Sequence, residues 1–419
     1  AYIYYTSGST GSPKGVSSGH EPMMNRLRWM WKQQPFCADE ICCQRIDHVF
    51  IDFVAEVFGP LSRGVPIVVV PLGVRRNPAL MRNFTRTFSI TRITLVPTLA
   101  RLLIATAAAS IPTSALPISS WAQAVFPTVR LWVLSGEALP WSVARGLAQL
   151  SSPQAVVLNL YGSTEMAADV TFHICKFGQD GGGSELHTDL NIGQSASVPI
   201  GRPISGCGVE LIEFHETEEV GTDGPPVVLR KIAPTETGRV GALYVFGAGL
   251  ATGYWGRPDA TKERFPIYEW DAVAASYRLL RFFRTGDLAS YERNNCSGVD
   301  KGTEWTLVYR GRSDQQVKVH GRRLDLGEVD SYLMQIDGVT SGAAVALYGA
   351  DLEDCDGRNE ERDAGCLIGA LVSPEGVDQT IVQTVCRRNL PSFAVPQAVV
   401  TTAEVPTLPG SGKIDRHRV

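Results

Sequence analysis

The segment "YTSGSTGSPKG" (residues 5–15) combines hydroxyl side chains, glycines and a single lysine in one short loop. Glycines let the backbone approach a ligand closely, and hydroxyls and turn N–H groups donate hydrogen bonds to anionic oxygens. This set of donors suits a polyphosphate. A Walker phosphate loop requires Ser or Thr directly after Gly-Lys, whereas Lys14 here lies between Pro13 and Gly15. The alternative, a flexible Gly/Ser linker, fits poorly with the strand-like "YIYYT" (2–6).

The composition of the 419 residues excludes several classes of protein. The net charge of −4 provides no basic surface for nucleic acid, and no apolar run is long enough to span a bilayer. We therefore expect a cytoplasmic protein with no nucleic-acid or membrane partner. The nine cysteines form no C-x-x-C pair, so we expect reduced thiols. Residue 1 falls within a strand-like segment, so we expect a piece of a longer protein.

The order of apolar runs predicts two domains, 1–311 and 312–419. In residues 1–198, strand-like runs alternate with helical patterns, which favours a doubly wound α/β subdomain. The strand-like runs are 65–72, 90–99, 129–136 and 155–162, and the helical patterns are 52–62 and 98–109. Residues 199–311 indicate a β-rich, barrel-like subdomain of short antiparallel strands. Ligands of doubly wound sheets bind beyond the carboxyl ends of the strands, where we expect the site.

The C-terminal domain, 312–419, is expected to be a small α+β unit. Its expected strands lie near 317–319, 343–348, 366–372 and 397–401, and its helices near 327–336 and 378–388.

Five motifs together identify a family. They are "YTSGSTGSPKG" (5–15), "NLYGSTEMAADVTF" (159–172), "FRTGDLA" (283–289), "GRSDQQVKVHGRRLDLGEVD" (311–330) and "LPGSGKIDR" (408–416). In this order they resemble the adenylate-forming superfamily, specifically the adenylation domains of nonribosomal peptide synthetases. The resemblance implies that superfamily's α/β fold with a mobile C-terminal α+β domain, and it implies that the N-terminal part of the fold is missing here.

The resemblance also implies a reaction. A carboxylate attacks the α-phosphate of ATP, giving an acyl-adenylate and pyrophosphate, and the acyl group then passes to a phosphopantetheine thiol on a carrier domain. Such chemistry needs phosphate donors, a divalent metal and a cation that holds the carboxylate at the phosphorus. ATP, Mg²⁺ and a downstream carrier domain are the implied cofactors and partner.

The resemblance also implies which residues bind ATP. Its implied members are Thr6, Ser7, Gly8, Ser9, Thr10, Gly11, Lys14, Gly136, Glu137, Tyr161, Gly162, Asp287 and Arg312. Tyr161 would lie against adenine, while Asp287 and Arg312 would bind the ribose. From the residues alone, the alternative is that Asp287 is a residue of a type I or II turn.

The implied catalytic residues are Lys413, Thr164 and Glu165. Thr164 would contact phosphate, and Glu165 would hold Mg²⁺, which prefers oxygen ligands. Lys413 would bridge carboxylate and phosphate, and Asp314 would be the hinge of the C-terminal domain. Taken alone, "YGSTE" could be a turn with a solvated glutamate and Lys413 an exposed lysine near the chain end.

The substrate pocket is implied by alignment with the same family. The aligned residues are Asp52, Ala55, Thr98, Val133, Ser135, Leu160, Ala168 and Asp169. The aspartate that usually pairs with an α-ammonium is replaced by Ile51, and Asp52 follows it. One helical position turns the charge by about 100°, which suits an ammonium one carbon further from the carboxylate. The resemblance therefore favours a β-amino acid, most simply β-alanine.

Alternatives to this pocket remain open at the level of sequence. Asp52 could cap the following helix, Asp47 is a second candidate partner for the amine, and Asp169 could be a second carboxylate near the amine or be satisfied by backbone donors. Alternative functions are an acyl-CoA synthetase for a simple carboxylic acid, activation of a different amino acid, or a non-catalytic nucleotide-binding protein.

Overall fold

The structure is a computed structural model. It describes residues 1–6, 13–75, 77–109, 125–152, 154–175, 177, 197–216, 227–272, 276–293, 305–313, 316–319, 322–347, 366–372, 377–402, 404–406, 414 and 416. The chain divides into two compact units, one of Ala1–Tyr4 with Gly15–Ser313 and the other of Tyr5–Lys14 with Asp314–Val419. The division at Ser313 lies close to the boundary expected at 311, but Tyr5–Lys14 groups with the second unit rather than the first.

Strands make up five sheets in the described residues. The strands are β1 Tyr2–Thr6, β2 Lys14–Ser18, β3 Cys42–Gln44, β4 Ile67–Val69, β5 Arg92–Leu95, β6 Leu131–Leu134, β7 Val156–Tyr161, β8 Thr171–Cys175, β9 Arg202–Pro203, β10 Cys207–Glu216, β11 Val227–Ile232, β12 Val240–Gly247, β13 Gly253–Tyr254, β14 Ile267–Ala272, β15 Ser276–Arg293, β16 Trp305–Arg312, β17 Gln316–Val319, β18 Arg322–Asp325, β19 Ser341–Leu347, β20 Cys366–Val372 and β21 Ala398–Thr401.

Nine α-helices lie in the described residues, and four of them correspond to the helices expected at 52–62, 98–109, 327–336 and 378–388. In chain order, the helices are α1 His20–Gln33, α2 Asp52–Leu61, α3 Leu72–Arg75, α4 Pro78–Thr87, α5 Pro97–Ala109, α6 Trp141–Gln149, α7 Pro258–Arg264, α8 Leu326–Leu333 and α9 Gln379–Asn389, with 3-10 turns at Thr164–Met166 and Ser392–Ala394. α4 begins where Asn77 accepts hydrogen bonds from the N–H groups of Ala79 and Leu80, and Pro78 takes the first helical position. None of the described helices is long and apolar enough to cross a membrane.

The sheet that positions the site has seven strands in the order β4-β3-β5-β6-β7-β8-β9. The first five strands in this order, β4 to β7, are parallel to one another. At the β7 edge, β8 pairs antiparallel with β7, and β9 pairs antiparallel with β8. All four residues of β6 are buried, as is typical of a parallel strand covered on both faces. Trp132 of β6 is fully buried and donates its indole N–H to the Ser151 hydroxyl over 2.7 Å. The doubly wound α/β prediction is therefore confirmed.

The second large sheet is antiparallel, as expected for residues 199–311. Its order is β11-β10-β12-β15-β14, with β16 also paired to β15. Tyr244, Phe282 and Ile212 form an apolar cluster on this sheet. The pairing of β15 with β16 places Asp287 opposite Arg312, two residues that the sequence assigns to one site.

The second unit contains the sheet β19-β20-β21, the hairpin β17-β18 and helices α8 and α9. The four expected strands and two expected helices are found within a few residues of their predicted bounds, whereas β18 has no counterpart in the prediction. Asp325 caps α8 by accepting from the Gly327 N–H, and Asp330 of α8 forms an ion pair of 2.6 Å with Arg416.

Candidate functional site: a nucleotide and acid pocket at the end of the parallel sheet

The carboxyl ends of three parallel strands bring most of the described candidate residues together. β5, β6 and β7 end at Leu95, Leu134 and Tyr161. Because neighbouring parallel strands end at the same edge of a sheet, the segments that follow them converge. These segments carry the candidates Thr98, Ser135, Gly136, Glu137, Gly162, Thr164 and Glu165.

Tyr161, Asp287 and Arg312 form one hydrogen-bonded group. The Tyr161 hydroxyl donates to Oδ2 of Asp287, and Arg312 Nη1 donates to Oδ1, each over 2.5 Å. The Asp287 N–H donates to the Thr285 hydroxyl, which fixes the backbone of β15 next to the carboxylate. Burial and the Asp287 charge raise the pKa of Tyr161 well above its usual value, so its hydroxyl stays a donor. A carboxylate has about four acceptor positions, so Asp287 keeps capacity for further donors such as ribose hydroxyls.

Glu165 is a buried carboxylate with both oxygens held. Oε1 accepts from the Tyr254 hydroxyl and Oε2 from the Ser163 hydroxyl, each over 2.9 Å. Among the described residues, no cluster of three or more His, Cys, Asp or Glu side chains could hold a metal ion. Mg²⁺ usually takes one or two carboxylates and completes its shell with water and phosphate oxygens. Glu165, with its lone pairs oriented by two hydroxyls, fits that requirement as the protein ligand.

The turn after β7 needs a glycine at residue 162. A Cβ there would lie 1.7 Å from the carbonyl oxygen of Ala168, because the chain folds back on itself. Ala167 and Ala168 adopt φ values of 52° and 81°, the left-handed region that non-glycine residues rarely occupy. Such backbone strain is characteristic of functional sites. The tight turn places Asp169 a few residues beyond the nucleotide candidates.

Thr98 and Glu137, assigned by sequence to the acid and the nucleotide respectively, contact each other. Oε2 of Glu137 accepts from the Thr98 backbone N–H over 2.9 Å and from its hydroxyl over 2.6 Å. The Glu137 carboxylate thereby caps the N-terminus of α5 from outside the helix. Gly136 before it has φ 92°, which favours glycine.

A small cavity of about 50 Å³ lies between α1, α2 and the parallel sheet. Of the eight implied pocket residues, Asp52, Ala55 and Val133 line it. The other five, Thr98, Ser135, Leu160, Ala168 and Asp169, do not. The sequence prediction also omitted three charged residues in the lining, Arg26, Glu56 and Arg92.

The alternatives for the aspartates can now be compared with the structure. The N-cap of α2 is Ile51, and no side-chain capping hydrogen bond is formed there, so Asp52 does not act as the helix cap. Asp47 lies on an exposed turn beside His48 and does not line the cavity. Asp169 is satisfied by side chains and not by backbone donors, because Arg26 and Ser135 bind its two oxygens. Asp52 is therefore the aspartate that lines the cavity.

Glu56 is the second carboxyl group in the cavity lining. Its Oε2 accepts from the N–H groups of Arg45 and Ile46, and among the described residues Oε1 has no hydrogen-bond partner. Burial raises the pKa of Glu56 to about 7. Burial also raises the pKa of the neighbouring Cys42 thiol to about 12, and six cysteines of the described residues are free thiols.

The predicted phosphate loop and the predicted residues of the C-terminal domain are covered only partly by the described residues. Thr6 ends β1 and Lys14 begins β2. Seven predicted residues lie outside the described residues: Ser7, Gly8, Ser9, Thr10, Gly11, Asp314 and Lys413.

Comparison with solved structures defines the class of protein. The fold matches the Vibrio cholerae adenylation domain AlmE in complex with glycyl-adenosine-5'-phosphate, with a TM-score of 0.71, at 24% identity over 100% of this chain and 66% of that one. It also matches PA1221, which contains adenylation and carrier (PCP) domains, with a TM-score of 0.69 at 24% identity over 100% of this chain and 59% of that one. The structure therefore has the fold of an adenylation domain.

Sequence comparison identifies the family. Residues 1–255 match the family described as AMP-binding enzyme. The chain belongs to this family of ATP-dependent, adenylate-forming ligases.

Two relatives are longer than this chain and carry the names of a synthase and a synthetase. Enterobactin synthase component F of Escherichia coli (strain K12) is 32% identical over 99% of this chain. The beta-alanyl-bioamine nonribosomal peptide synthetase ebony of Drosophila melanogaster is 30% identical over 100% of it. The chain spans 28% and 41% of the length of these two relatives.

Proposed function

We propose that this chain activates an amino acid, β-alanine above all, as its aminoacyl-adenylate. The substrate carboxylate attacks the α-phosphorus of ATP and the bond to pyrophosphate breaks. The thiol of a carrier-domain phosphopantetheine then attacks the acyl carbon and AMP leaves. A cytoplasmic location stays a prediction from the sequence.

The observation that carries the choice of an amino acid is the position of Asp52. Its side chain lines the cavity with Ala55 and Val133, two other residues aligned with the family's substrate pocket. A carboxylate at the wall of a pocket recognises an ammonium group by charge and hydrogen bonding. A simple carboxylic acid has no ammonium group that could pair with the Asp52 carboxylate. The similarity to ebony, which by its name forms β-alanyl products, supports β-alanine among the amino acids.

ATP–pyrophosphate exchange tests the substrate assignment. We expect β-alanine to give the highest activity among β-alanine, L-alanine, L-aspartate and propionate. Equal activity with propionate and β-alanine would contradict an amino-acid substrate and favour the acyl-CoA synthetase alternative.

The role of Asp52 is tested with Asp52→Asn. Loss of the charge should raise KM for β-alanine by about tenfold or more and leave KM for ATP unchanged, since a charge-assisted hydrogen bond contributes roughly 1.5–3 kcal/mol. Asp47→Asn is the matched control, because Asp47 is exposed and lies in the same segment. A larger effect of Asp47→Asn than of Asp52→Asn would reverse the assignment.

We also propose that Lys413 holds the carboxylate and the α-phosphate together in the transition state. Lys413→Ala should lower the rate of adenylate formation by about a hundredfold or more while ATP binding persists. Lys262→Ala, at an exposed lysine of α7, is the control. An unchanged rate of adenylate formation in Lys413→Ala would exclude this role.

A further inference from the structure

Arg26 and Asp169 form a buried ion pair at the edge of the substrate cavity. Nε and Nη2 of Arg26 both donate to Oδ2 of Asp169, over 3.0 and 2.9 Å, and the Ser135 hydroxyl donates to Oδ1 over 2.8 Å. The two charged side chains are 5% and 0% exposed. Every Asp169 oxygen therefore has a donor, and the negative charge of Asp169 is compensated.

Of the two paired side chains, only Arg26 faces the cavity. Arg26 lines the cavity together with Asp52, whereas Asp169 does not line it. The guanidinium therefore lies between the cavity and the Asp169 carboxylate. A substrate in the cavity meets the carboxylate of Asp52 and the guanidinium groups of Arg26 and Arg92, of which Arg92 is paired with Glu40 over 2.6 Å, and it is separated from the charge of Asp169.

Glu56, the other carboxyl group in the lining, contributes less negative charge than Asp52. Burial raises its pKa to about 7, so near neutral pH a large fraction of Glu56 is protonated. Asp52 is thus the principal anion that the described lining offers to a cationic substrate.

We propose that Arg26 is a specificity-determining residue that restricts the substrate to acids with a single ammonium group and excludes diamino acids. The inference deepens the proposed function and depends on it. Asp52 pairs with the one ammonium of an amino acid such as β-alanine. A second ammonium is repelled by the Arg26 guanidinium and cannot pair with the Asp169 carboxylate, because Arg26 occupies it.

The test compares β-alanine with 2,3-diaminopropionate, which has the carbon skeleton of β-alanine and of L-alanine with one additional ammonium group. The measured quantity is the ratio of kcat/KM for the two acids in ATP–pyrophosphate exchange. A ratio within one variant is insensitive to the fraction of enzyme that is folded, so it reports on specificity and not on stability.

Arg26→Met removes the cation and exposes Asp169 to the cavity. We expect the preference for β-alanine over the diamino acid to fall by about tenfold or more, since the repulsion of the second ammonium is removed and the Asp169 carboxylate becomes free to pair with it. Arg26→Met with Asp169→Asn replaces the pair by neutral side chains and should restore most of the wild-type preference. Arg28→Met, at an exposed position of the same helix, is the matched control.

Asp169→Asn provides a second variant should Arg26→Met fail to fold. It leaves the Arg26 cation uncompensated beside the cavity, so KM for β-alanine should rise more than KM for propionate. Wild-type preference in Arg26→Met, or equal changes for both acids in Asp169→Asn, would overturn the inference. If wild-type enzyme activates no amino acid at all, the proposed function itself fails, and this result is distinct from either outcome.

Discussion

Tyr161 and Asp287 lie 126 residues apart in the sequence and are joined by a hydrogen bond of 2.5 Å between the phenol and the carboxylate. Tyr161 is the last residue of a parallel strand, and Asp287 belongs to the antiparallel sheet. The bond therefore connects the two large sheets of the first unit at the candidate nucleotide site.

Removing the Tyr161 hydroxyl tests this connection. In Tyr161→Phe, the Arg312 guanidinium is the one side-chain donor to Asp287 that remains among the described residues, and the orientation of Asp287 toward a ribose becomes less fixed. A hydrogen bond to a charged group contributes roughly 1.5–3 kcal/mol, so we expect KM for ATP to rise about tenfold. Exchange kinetics at varied ATP measure this. Tyr291→Phe, at a buried tyrosine of the same antiparallel sheet, is the control, and an equal rise in both variants would count against a specific role.

Gly162→Ala tests the turn after β7. The added methyl group would overlap the carbonyl oxygen of Ala168, which belongs to the backbone and cannot rotate away. We expect a loss of about 3 kcal/mol or more in the free energy of unfolding, together with loss of exchange activity. Urea denaturation gives the free energy. Gly73→Ala is the control because no atom lies within 4 Å of its Cβ position, and similar stability of both variants would disprove the clash.

Glu56→Gln tests the buried carboxyl group through the dependence of stability on pH. The pKa of Glu56 is raised from 4.5 to about 7 in the folded state, so its contribution to stability is fully present below pH 4.5 and is lost as pH rises through 7. From pH 4.5 to 8 this loss is on the order of 3 kcal/mol, and Glu56→Gln should remove it. Melting temperatures across this range provide the measurement. The control is Glu263→Gln, at an exposed glutamate, and parallel profiles for wild type and Glu56→Gln would contradict the prediction.

Glu165→Gln tests the proposed magnesium ligand. An amide carries no negative charge and binds Mg²⁺ weakly, so the Mg²⁺ concentration for half-maximal exchange should rise by about tenfold or more. A titration with Mg²⁺ at fixed ATP measures this. Glu21→Gln, at an exposed position of α1, serves as control. An unchanged Mg²⁺ requirement in Glu165→Gln would assign the ion to other ligands.

Local patterns in the sequence predict much of this fold. The runs that contain β6 and β7 are almost continuously apolar and buried, β5 alternates between buried and half-buried residues, and each run is followed by a turn with polar residues, so both the parallel sheet and its active edge could be predicted. Strand bounds were less accurate. The run 90–99 contains both β5 and the first residues of α5, because Pro97 ends the extended segment and begins a helix.

Pairings between distant residues could not be predicted. The contact between Arg26 and Asp169 depends on the tertiary packing of α1 against the end of the parallel sheet. Local sequence patterns extend over a few residues and therefore cannot reveal a contact between positions so far apart in the chain. Burial of Arg26 on α1 could have drawn attention to it, because a buried arginine needs a partner. The partner itself could not be named. Glu56 was missed for a similar reason, since its two backbone donors come from the segment before α2.

The Arg26–Asp169 pair also constrains how this pocket can evolve. The two residues are 143 positions apart, and loss of either one leaves an uncompensated charge on a side chain that is at most 5% exposed. A buried charge without its partner costs about 3–5 kcal/mol, so single substitutions at either position should be strongly selected against. Natural variants of this chain should therefore exchange the two residues together, and covariation of positions 26 and 169 should mark lineages in which the choice of acid has changed.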